Sequence, residues 1–486
     1  MRRSLPGAGH SLIRVAVAVV LLALACGTDE ASAPPPPAPP PPPPPAPPPP
    51  PPPEIVTFAV ARNATNVLSA VVTVHARLVD SIAVRYGPGV TSDSLTPAVQ
   101  PDGDSAVVPV LGLLPATTYA LSVVAYGGGQ TALSTAYSFT TDTLPSDLPH
   151  YVASGSDPSL GYVVFAAPGS RYGIVIDNTG RVVWYYRFPV PVGLNFQAQP
   201  NGHYTARPPT PDPSGPWYEI DPLGKVTRTF GCARALVARF HDLIAERDGA
   251  YWIMCDETRT MDLSGVGGVA SAQVMGTVVQ HISATGVLLF EWNPFDHFQI
   301  TDLDSASRAG ASVNWTHGNA LDLDADGNLL VSFRSLSEIT KIDTRIGAIV
   351  WRMGGLRNQF VFQNAPTPGF ARQHGLRATG PGRLTLVDNL GDPGGSRAER
   401  YVYDETARTA QLVGSYGSDP PVIAQLGGTT QSLPGGHILV AFGNGDRVEE
   451  YDASGAVVWH IAAPTGYIFR AQRIRSLYQP GVGSPR

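Results

Sequence analysis

The stretches 319-NALDLDADGNLLVSF-333 and 338-EITKIDTRIGAIVWRM-353 contain four short segments rich in apolar and β-branched residues. A turn containing Gly327 separates the first two segments, and a turn containing Gly347 separates the last two. Apolar residues that alternate with polar ones over a few positions predict β-strands, and Asp and Gly between them predict tight turns. Together the two stretches are therefore interpreted as one antiparallel, four-stranded meander.

The same unit recurs along the rest of the chain. From about Asp157 to the C-terminus there are six copies, and other copies turn at Gly202, Gly249, Gly382 and Gly436. Repeats of this size predict a β-propeller. A leftover strand in 466-GYIFRAQRIRSLYQ-479 is expected to complete the first copy and close the ring, which removes exposed strand edges. We expect an all-β fold with a six-bladed propeller over residues 144–486.

A smaller all-β domain is predicted before the propeller. Residues 54–143 form short alternating segments whose length and spacing are typical of a β-sandwich. The run 113-LLPATTYALSVVA-125 resembles fibronectin type III domains, in which such a run places a tyrosine at a corner of the sandwich. Tyr119 would be that tyrosine. A fibronectin III/Ig-like sandwich that acts as a spacer or docking domain is therefore expected here.

The first 26 residues have the features of an export signal. Positive residues precede an apolar segment, Val15 to Ala25, that is too short to span a bilayer. The segment ends in 22-LALACG-27, which resembles a bacterial lipobox. In such signals the cysteine, here Cys26, carries the lipid. An ordinary signal peptide with an incidental cysteine is the alternative.

Residues 27–53 are dominated by proline and are predicted to be a disordered polyproline linker without a core. At about 3.1 Å per residue, the proline run would hold the later domains roughly 60 Å from an anchor. The predicted location is therefore the cell envelope, in the periplasm or on the cell surface. The chain is expected to be an exported lipoprotein that contacts the membrane only through its lipid anchor.

The composition limits the partners of the chain. A net charge of −6, with only 15% charged residues, argues against nucleic acid as a partner. Apart from Cys26, the chain has two cysteines, Cys232 and Cys255. They lie on segments interpreted as neighbouring strands, and in an exported protein such a pair favours a disulfide, but two buried thiols fit the sequence equally well.

Polar residues occupy one phase of the repeat. The position eight residues before the central turn glycine is His241 in the third copy, Asn319 in the fourth and His374 in the fifth. His317 lies two residues before Asn319, which would put both side chains on the same face of a strand. This position is the start of the innermost strand of each blade. Because the innermost strands surround the central channel, these side chains are expected to converge.

The position seven residues after the same glycine carries a second polar set. It is Asp256 in the third copy, Arg334 in the fourth and Asn389 in the fifth. These residues end the second strand of each blade. In an antiparallel pair, that end lies beside the start of the first strand. We therefore expect the imidazoles and Arg334 to share one end of the channel.

Such a cluster favours the transfer of an anionic group. Imidazole can serve as a general base or a nucleophile, arginine can hold an oxyanion through its planar fork of donors, and an asparagine adds a neutral donor. Three histidines could instead bind zinc. A single His is more often solvated or hydrogen-bonded in a core, and His or Asn could simply satisfy backbone groups between blades. The acidic run Asp322 to Asn328 could suggest a calcium site, but its spacing departs from that of an EF-hand loop, and turn chemistry explains it.

From about residue 145 onward, the chain resembles the bacterial arylsulfate sulfotransferases. The motifs that carry the resemblance are FHD at His241, 316-THGNALDLDADGNLLVSFR-334, 342-IDTRIGAIVWRMGG-355 and 372-RQHGLR-377. The resemblance implies an exported six-bladed propeller that moves a sulfuryl group from a phenolic sulfate ester to another phenol. It also implies ping-pong chemistry through a sulfated histidine, without PAPS, the nucleotide sulfate donor.

The resemblance also assigns roles to individual residues. His374 would be the nucleophile, and His241 and His317 would bind sulfate oxygens and assist proton transfer. Asn319 and Arg334 would stabilise charge on the transferring group. No cofactor and no metal are expected, and the partners would be a small aryl sulfate donor and a phenolic acceptor. The alternatives are a non-catalytic propeller that binds a ligand or partner at the cell envelope, a metal-dependent hydrolase and a quinoprotein dehydrogenase.

Overall fold

The computed structural model describes residues 49–90, 93–208, 215–366, 369–462 and 466–483. The predicted signal peptide, the lipobox Cys26 and most of the polyproline run lie outside these residues. In the described part of the chain, no helix is long and apolar enough to cross a membrane.

The N-terminal part consists of two antiparallel sheets. One contains the strands Glu54–Arg62, Ser69–Arg77 and Ser105–Leu111, and the other contains Ser81–Pro88, Ser94–Leu95, Thr118–Gly127, Gln130–Leu133 and Tyr137–Thr140. Alternate residues such as Val72, Val84 and Leu121 point between the sheets and are buried. The hydroxyl of Tyr119 accepts a hydrogen bond from the backbone N–H of Leu114 at 2.8 Å. This is the contact of a tyrosine corner, while the fibronectin type III assignment stays a prediction.

The rest of the chain forms six sheets, which we number blade 1 to blade 6. The first three, each written from its innermost strand outward, are blade 1 (Ala471–Ile474, Tyr162–Ala166, Tyr172–Ile176, Val182–Arg187), blade 2 (Phe196–Ala198, Tyr204–Ala206, Trp217–Ile220, Val226–Phe230) and blade 3 (Val237–Ala245, Tyr251–Met261, Ala272–Ile282, Leu288–Trp292).

The other three are blade 4 (Gly318–Leu323, Leu329–Phe333, Glu338–Ile342, Ile349–Gly354), blade 5 (His374–Gly380, Arg383–Asp388, Arg397–Asp404, Thr409–Gly417) and blade 6 (Thr429–Ser432, Ile438–Ala441, Arg447–Tyr451, Val457–Ala462). A further short strand is added to three of the blades. Ser312–Asn314 pairs with the third strand of blade 3, Val361–Gln363 with the outermost strand of blade 5 and Ala153–Gly155 with the outermost strand of blade 6. The all-β six-bladed propeller predicted from the repeats is confirmed.

The ring closes as the sequence predicts. The late strand Ala471–Ile474 pairs antiparallel with Tyr162–Ala166, so the C-terminal segment supplies the innermost strand of blade 1. The only helices in the described residues are the short α-helix Pro294–His297 and the 3₁₀ turns Ser264–Val266, Ile300–Asp302 and Pro434–Gly436.

Apolar side chains fill the space between successive blades. Trp184, Trp351 and Trp459 each stand on the outer strand of a blade and are 0–1% exposed. Trp184 and Trp459 also donate their indole N–H to backbone carbonyls, those of Pro222 and Asn178. Truncating a buried tryptophan of this kind to alanine costs about 3–5 kcal/mol, so these residues fix the packing of neighbouring blades.

The sandwich and the propeller are joined by specific contacts. The side-chain amide of Asn63 donates to the carbonyl of Leu223 at 2.7 Å. The backbone N–H of Val67 donates to the hydroxyl of Tyr185 at 3.1 Å. Near the C-terminus, the hydroxyl of Tyr478 accepts a hydrogen bond from the backbone N–H of Leu111 at 3.2 Å.

Candidate functional site

The predicted histidines meet at one end of the central channel. His241 lies within the innermost strand of blade 3, and His374 is the first residue of the innermost strand of blade 5. His241 and His374 are 3% and 2% exposed. The imidazole rings of His241 and His317 have their centroids 4.9 Å apart. The ring of Phe469 joins the cluster, 5.8 Å from His241 and 6.3 Å from His374.

His317 reaches this cluster by a different route from the one predicted. It lies just before the strand Gly318–Leu323, in a left-handed backbone conformation with φ of 49°. The strand register shifts between Gly318 and Ala320, which leaves Asn319 as an extra residue. The prediction that His317 and Asn319 share a strand face is therefore wrong. The turn at His317 still directs its ring toward His241.

Hydrogen bonds fix which nitrogen of His374 carries the proton. His374 Nδ1 lies 2.8 Å from Asn389 Oδ1. The amide nitrogen of Asn389 donates to the carbonyls of Ala424 at 2.7 Å and Gly427 at 2.9 Å. These two acceptors set the orientation of the amide, so its oxygen faces the imidazole and must accept. The hydrogen bond to Asn389 therefore places the proton of neutral His374 on Nδ1 and the lone pair on Nε2.

His241 and His317 have the opposite tautomer. The Nε of Arg239 donates to His241 Nδ1 at 3.2 Å, and a guanidinium can only donate. Neutral His241 therefore carries its proton on Nε2. His317 Nδ1 lies 2.6 Å from the amide nitrogen of Asn314, which assigns its proton to Nε2 as well. The cluster thus presents two N–H donors together with one nucleophilic nitrogen.

The surroundings keep all three imidazoles neutral. Burial lowers the pKa of His374 to about 4, and the positive charges of Arg334 and Arg470 act in the same direction. Burial and Arg239 lower the pKa of His317 to about 2 and hold the pKa of His241 well below its usual range. Near pH 7 the Nε2 lone pair of His374 therefore remains available.

Arg334 supplies a positive charge that no carboxylate compensates in the described part of the chain. It follows the strand Leu329–Phe333, and its backbone N–H donates to the carbonyl of His317 at 3.0 Å. One terminal nitrogen donates to the carbonyl of Gln425 at 3.1 Å, and Nε is buried without a partner. Burial and the nearby charge of Arg372 lower the pKa of Arg334. An anion bound here would give the buried Nε–H an acceptor and would balance the positive charge of Arg334.

Two other arginines at the site have their charges compensated. Arg239 binds both carboxylate oxygens of Asp256, at 2.5 and 2.6 Å. Arg470 forms an ion pair with Asp242 at 3.1 Å and donates to the carbonyl of His241 at 3.0 Å. These residues hold the backbone and ring of His241 in place, whereas Arg334 remains open to a bound anion.

Asn319 connects blade 4 to blade 5. Its amide nitrogen donates to the carbonyl of Gln373 at 2.7 Å, directly before His374. Asn195 makes a similar bond to the carbonyl of His241, at 2.8 Å. Asn319 therefore positions the backbone beside His374. This is the structural role in which an asparagine satisfies backbone groups between blades. Its buried Oδ1 has no hydrogen-bond partner among the described residues.

Asp388 holds the loops on both sides of the His374–Asn389 pair. Its Oδ1 accepts from the backbone N–H groups of Ala371 at 2.9 Å and Gly391 at 2.8 Å. Gly391 approaches so closely that a Cβ on it would lie 2.5 Å from Asp388 Oδ2. Burial raises the pKa of Asp388, partly offset by these backbone donors.

Some residues at the site were not found from sequence. Arg239 stands two residues before His241, so a search for polar residues on the same strand could have found it. Arg470 and Phe469 lie at the start of the late strand of blade 1. Most of the chain separates that strand from the strand with which it pairs. No turn glycine therefore joins the two strands, and positions in the repeat cannot be counted from one.

Cys232 and Cys255 form a disulfide, which settles the choice that the sequence leaves open. Cys255 lies in the second strand of blade 3, but Cys232 lies in the loop after the strand Val226–Phe230 rather than on a neighbouring strand. The bridge therefore ties this loop to blade 3 just before the strand that carries His241.

A cluster of three acidic side chains surrounds the ammonium group of a lysine. In the described part of the chain, Asp324, Asp326 and Glu405 are the one group with carboxylate oxygens close enough together to hold a metal ion. The ammonium group of Lys341 contacts all three, at 2.7, 2.7 and 2.5 Å. Lys341 thus occupies the position that a cation would take. The three histidines do not form such a group.

Comparison with known proteins identifies one family. A family model described as Arylsulfotransferase (ASST) matches residues 231–464, which include His241, His317, Asn319, Arg334 and His374. The match supports sulfotransferase activity in general. No curated protein matches the chain.

Several solved structures are similar at low sequence identity. A protein of unknown function from Bacteroides caccae is 13% identical, with 65% of this chain and 100% of that chain covered and a TM-score of 0.42. Virginiamycin B lyase from Staphylococcus aureus is 14% identical, with 78% and 99% covered and a TM-score of 0.35. A protein from Lactobacillus plantarum is 11% identical, with 80% and 98% covered and a TM-score of 0.34. At these scores the fold assignment rests on the six sheets described above.

Proposed function

We propose that this chain, which an arylsulfotransferase family model matches over residues 231–464, moves a sulfuryl group from a phenolic sulfate ester to a phenolic acceptor. The transfer takes two steps through a covalent intermediate on His374. The observation that carries the proposal is the pair of opposite tautomers at one end of the channel. His374 has its lone pair on Nε2, while His241 and His317 present Nε2–H groups.

In the first step, the Nε2 lone pair of His374 attacks the sulfur of the bound ester. The N–S bond forms as the S–O bond to the aryl group breaks, and the bonding pair leaves on the phenolate oxygen. The phenolate takes a proton from solvent. In the second step, the oxygen of the acceptor phenol attacks the sulfur, gives its proton to solvent and returns the N–S pair to Nε2. The sum is an ester-for-phenol exchange without oxidation or reduction.

The other residues bind charge and fix geometry. His241 and His317 donate hydrogen bonds to the sulfuryl oxygens, and Arg334 neutralises the negative charge that these oxygens carry. Asn389 keeps the proton of His374 on Nδ1 and stabilises the ring as Nε2 becomes bonded to sulfur. Asn319 holds the backbone beside His374 through Gln373. Because a phenolate is a good leaving group, positioning and electrostatics supply most of the rate.

Turnover of 4-nitrophenyl sulfate tests this function. The purified protein should release nitrophenolate only when a phenol acceptor is present, and the sulfated acceptor should appear in equal amount. His374→Ala should abolish release, and His460→Ala, on an exposed strand position of blade 6, should not change it. Wild-type protein that is folded but inactive with several phenols would overturn the proposal in favour of a binding propeller.

The location of the protein is a second proposal. The lipobox resemblance at Cys26 and the proline run after it support an envelope lipoprotein, with the propeller held away from the membrane. Cells fed a labelled fatty acid should incorporate the label into the wild type and not into Cys26→Ser. Equal labelling of both proteins, or labelling of neither, would contradict lipidation at Cys26.

A further inference from the structure

Two buried carboxyl groups lie side by side in blade 5, next to the His374–Asn389 pair. In the pairing of the second and third strands, Glu399 stands opposite Leu386, and Asp388 is two residues further along from Leu386. Asp388 and Glu399 are therefore diagonal neighbours on one face of the sheet, a spacing that long side chains can bridge. They are 1% and 0% exposed. Two ionised carboxylates in such a position, away from water, would repel each other.

Each of these carboxyl groups has one oxygen that is bonded and one that is not. Asp388 Oδ1 accepts from the backbone N–H groups of Ala371 and Gly391, at 2.9 and 2.8 Å. Glu399 Oε2 accepts from the hydroxyl of Tyr401 at 2.9 Å. Asp388 Oδ2 and Glu399 Oε1 are buried, and neither has a hydrogen-bond partner among the described residues. One proton held between these two oxygens would satisfy both.

The surroundings assign this proton to Glu399. Burial and the charge of Asp388 raise the pKa of Glu399 to about 8, although the hydrogen bond from Tyr401 and the charge of Arg397 act in the opposite direction. Asp392 is the remaining charged group that acts on Glu399, and it is paired with Arg397 at 3.0 Å. Burial raises the pKa of Asp388 too, but its backbone N–H donors favour the ionised form. Near pH 7, Glu399 is therefore the acid of the pair and Asp388 the carboxylate.

We propose that Glu399 is a positioning residue for His374, whose protonated carboxyl group donates a hydrogen bond to Asp388 Oδ2. Asp388 in turn holds the segments just before His374 and just after Asn389, because its two N–H donors lie in them. This inference rests on the proposed sulfuryl transfer. Loss of the shared proton at alkaline pH places two carboxylates against each other, which loosens both segments and releases the fixed orientation of the His374 ring.

Blade 6 contains the same pair of residue types with a donor already in place. Glu449 and Tyr451 have the spacing of Glu399 and Tyr401, and the Tyr451 hydroxyl donates to Glu449 Oε2. The hydroxyl of Ser418 donates to Glu449 Oε1 at 2.8 Å. Both oxygens of Glu449 therefore have a donor without a proton of their own, and Glu449 is the matched control for Glu399.

The pH profile of the first step of the proposed reaction tests this role, because no acceptor phenol ionises in that step. The rate of the nitrophenolate burst from 4-nitrophenyl sulfate should fall in the wild type as the pH rises through about 8. Glu399→Gln should keep the rate and abolish the fall, because its amide donates to Asp388 Oδ2 at every pH and its carbonyl still accepts from Tyr401. Glu449→Gln should show the wild-type profile. A wild type without the fall, or a fall that persists in Glu399→Gln, would overturn the proposal.

The backbone amides of Ala371 and Gly391 report the same change without sulfuryl transfer. Their ¹⁵N resonances should titrate with a midpoint at about pH 8 in the wild type and stay constant in Glu399→Gln. Amides that do not titrate near this pH in the wild type would also overturn the proposal. A protein that shows the titration but forms no sulfated enzyme would contradict the proposed function and not the hydrogen bond from Glu399 to Asp388.

Discussion

His374 Nδ1 lies 2.8 Å from the Oδ1 of Asn389, and the amide nitrogen of Asn389 is held by the carbonyls of Ala424 and Gly427. The segment that begins blade 5 and the segment that precedes blade 6 thus cooperate to present one nitrogen lone pair. An orienting partner of this kind allows a neutral imidazole to act as a nucleophile without an adjacent carboxylate.

Replacing this partner should slow the reaction without unfolding the ring. Asn389→Ala removes the acceptor for Nδ1–H, so His374 can adopt the unproductive tautomer or turn away. We expect kcat to fall by about 10–100-fold, the range seen when partners that orient a functional histidine are removed. Steady-state kinetics with 4-nitrophenyl sulfate measure this effect. A variant with normal melting temperature and unchanged kcat would show that Asn389 does not orient the nucleophile.

The pH dependence should reveal the lowered pKa of His374. The free enzyme needs His374 unprotonated, and burial lowers its pKa to about 4. kcat/KM should therefore stay level as the pH falls from 7 through the usual imidazole range near 6.5, and decrease only around pH 4. Asn389→Asp places a carboxylate beside Nδ1, which favours the imidazolium and should move this acid limb upward. A wild-type limb near 6.5 would contradict the assigned environment of His374.

Arg334 should act on the bound anion rather than on stability. Arg334→Gln keeps a side chain of similar shape but removes the charge, and the loss of such a charged donor should lower kcat/KM by about 10²–10³-fold. Arg345→Gln is the matched control, because Arg345 pairs with Asp343 on the surface and its side chain is 82% exposed. Equal losses of kcat/KM in the two variants would contradict this role, because they would show that removing any positive charge from the protein lowers activity.

Lys341 should matter for stability and not for chemistry. Its side chain is 2% exposed and contacts Asp324, Asp326 and Glu405. Lys341→Met leaves three carboxylates together, of which Asp324 is buried, and should lower the free energy of unfolding by about 3 kcal/mol. Calcium should restore part of this loss, because the position of the ammonium group becomes open to a cation. Chemical denaturation with and without calcium tests both statements. A Lys341→Met midpoint equal to that of the wild type would refute the first, and a variant midpoint that calcium does not change would refute the second.

The sequence predicts the propeller well because each blade is encoded locally. Alternating apolar residues and turn glycines such as Gly327 and Gly382 define the strands within about forty residues. The same regular phase predicts that His241, His317, Arg334 and His374 approach one another. The closing strand is also predicted, since a leftover strand must pair with the first blade.

Other features depend on contacts between distant parts of the chain. Arg470 and Phe469 join the site only because the last strand pairs with the first blade. The tautomer of His374 depends on the carbonyls of Ala424 and Gly427, which orient the amide of Asn389. These carbonyls lie in the connection between blades 5 and 6, so the sequence near residue 374 does not predict their contacts. The position of His317 depends on a left-handed turn and an irregular strand start, and strand periodicity does not describe such a turn.

The central claim is a sulfuryl group carried by His374 Nε2. Protein mixed with excess 4-nitrophenyl sulfate and no acceptor, then quenched at alkaline pH, should gain the mass of one sulfuryl group. Peptide mapping should place the group on the peptide that contains His374, and a phenol added before the quench should remove it. Absence of the added mass in a protein that transfers sulfuryl groups, or its presence on another residue, would contradict the account.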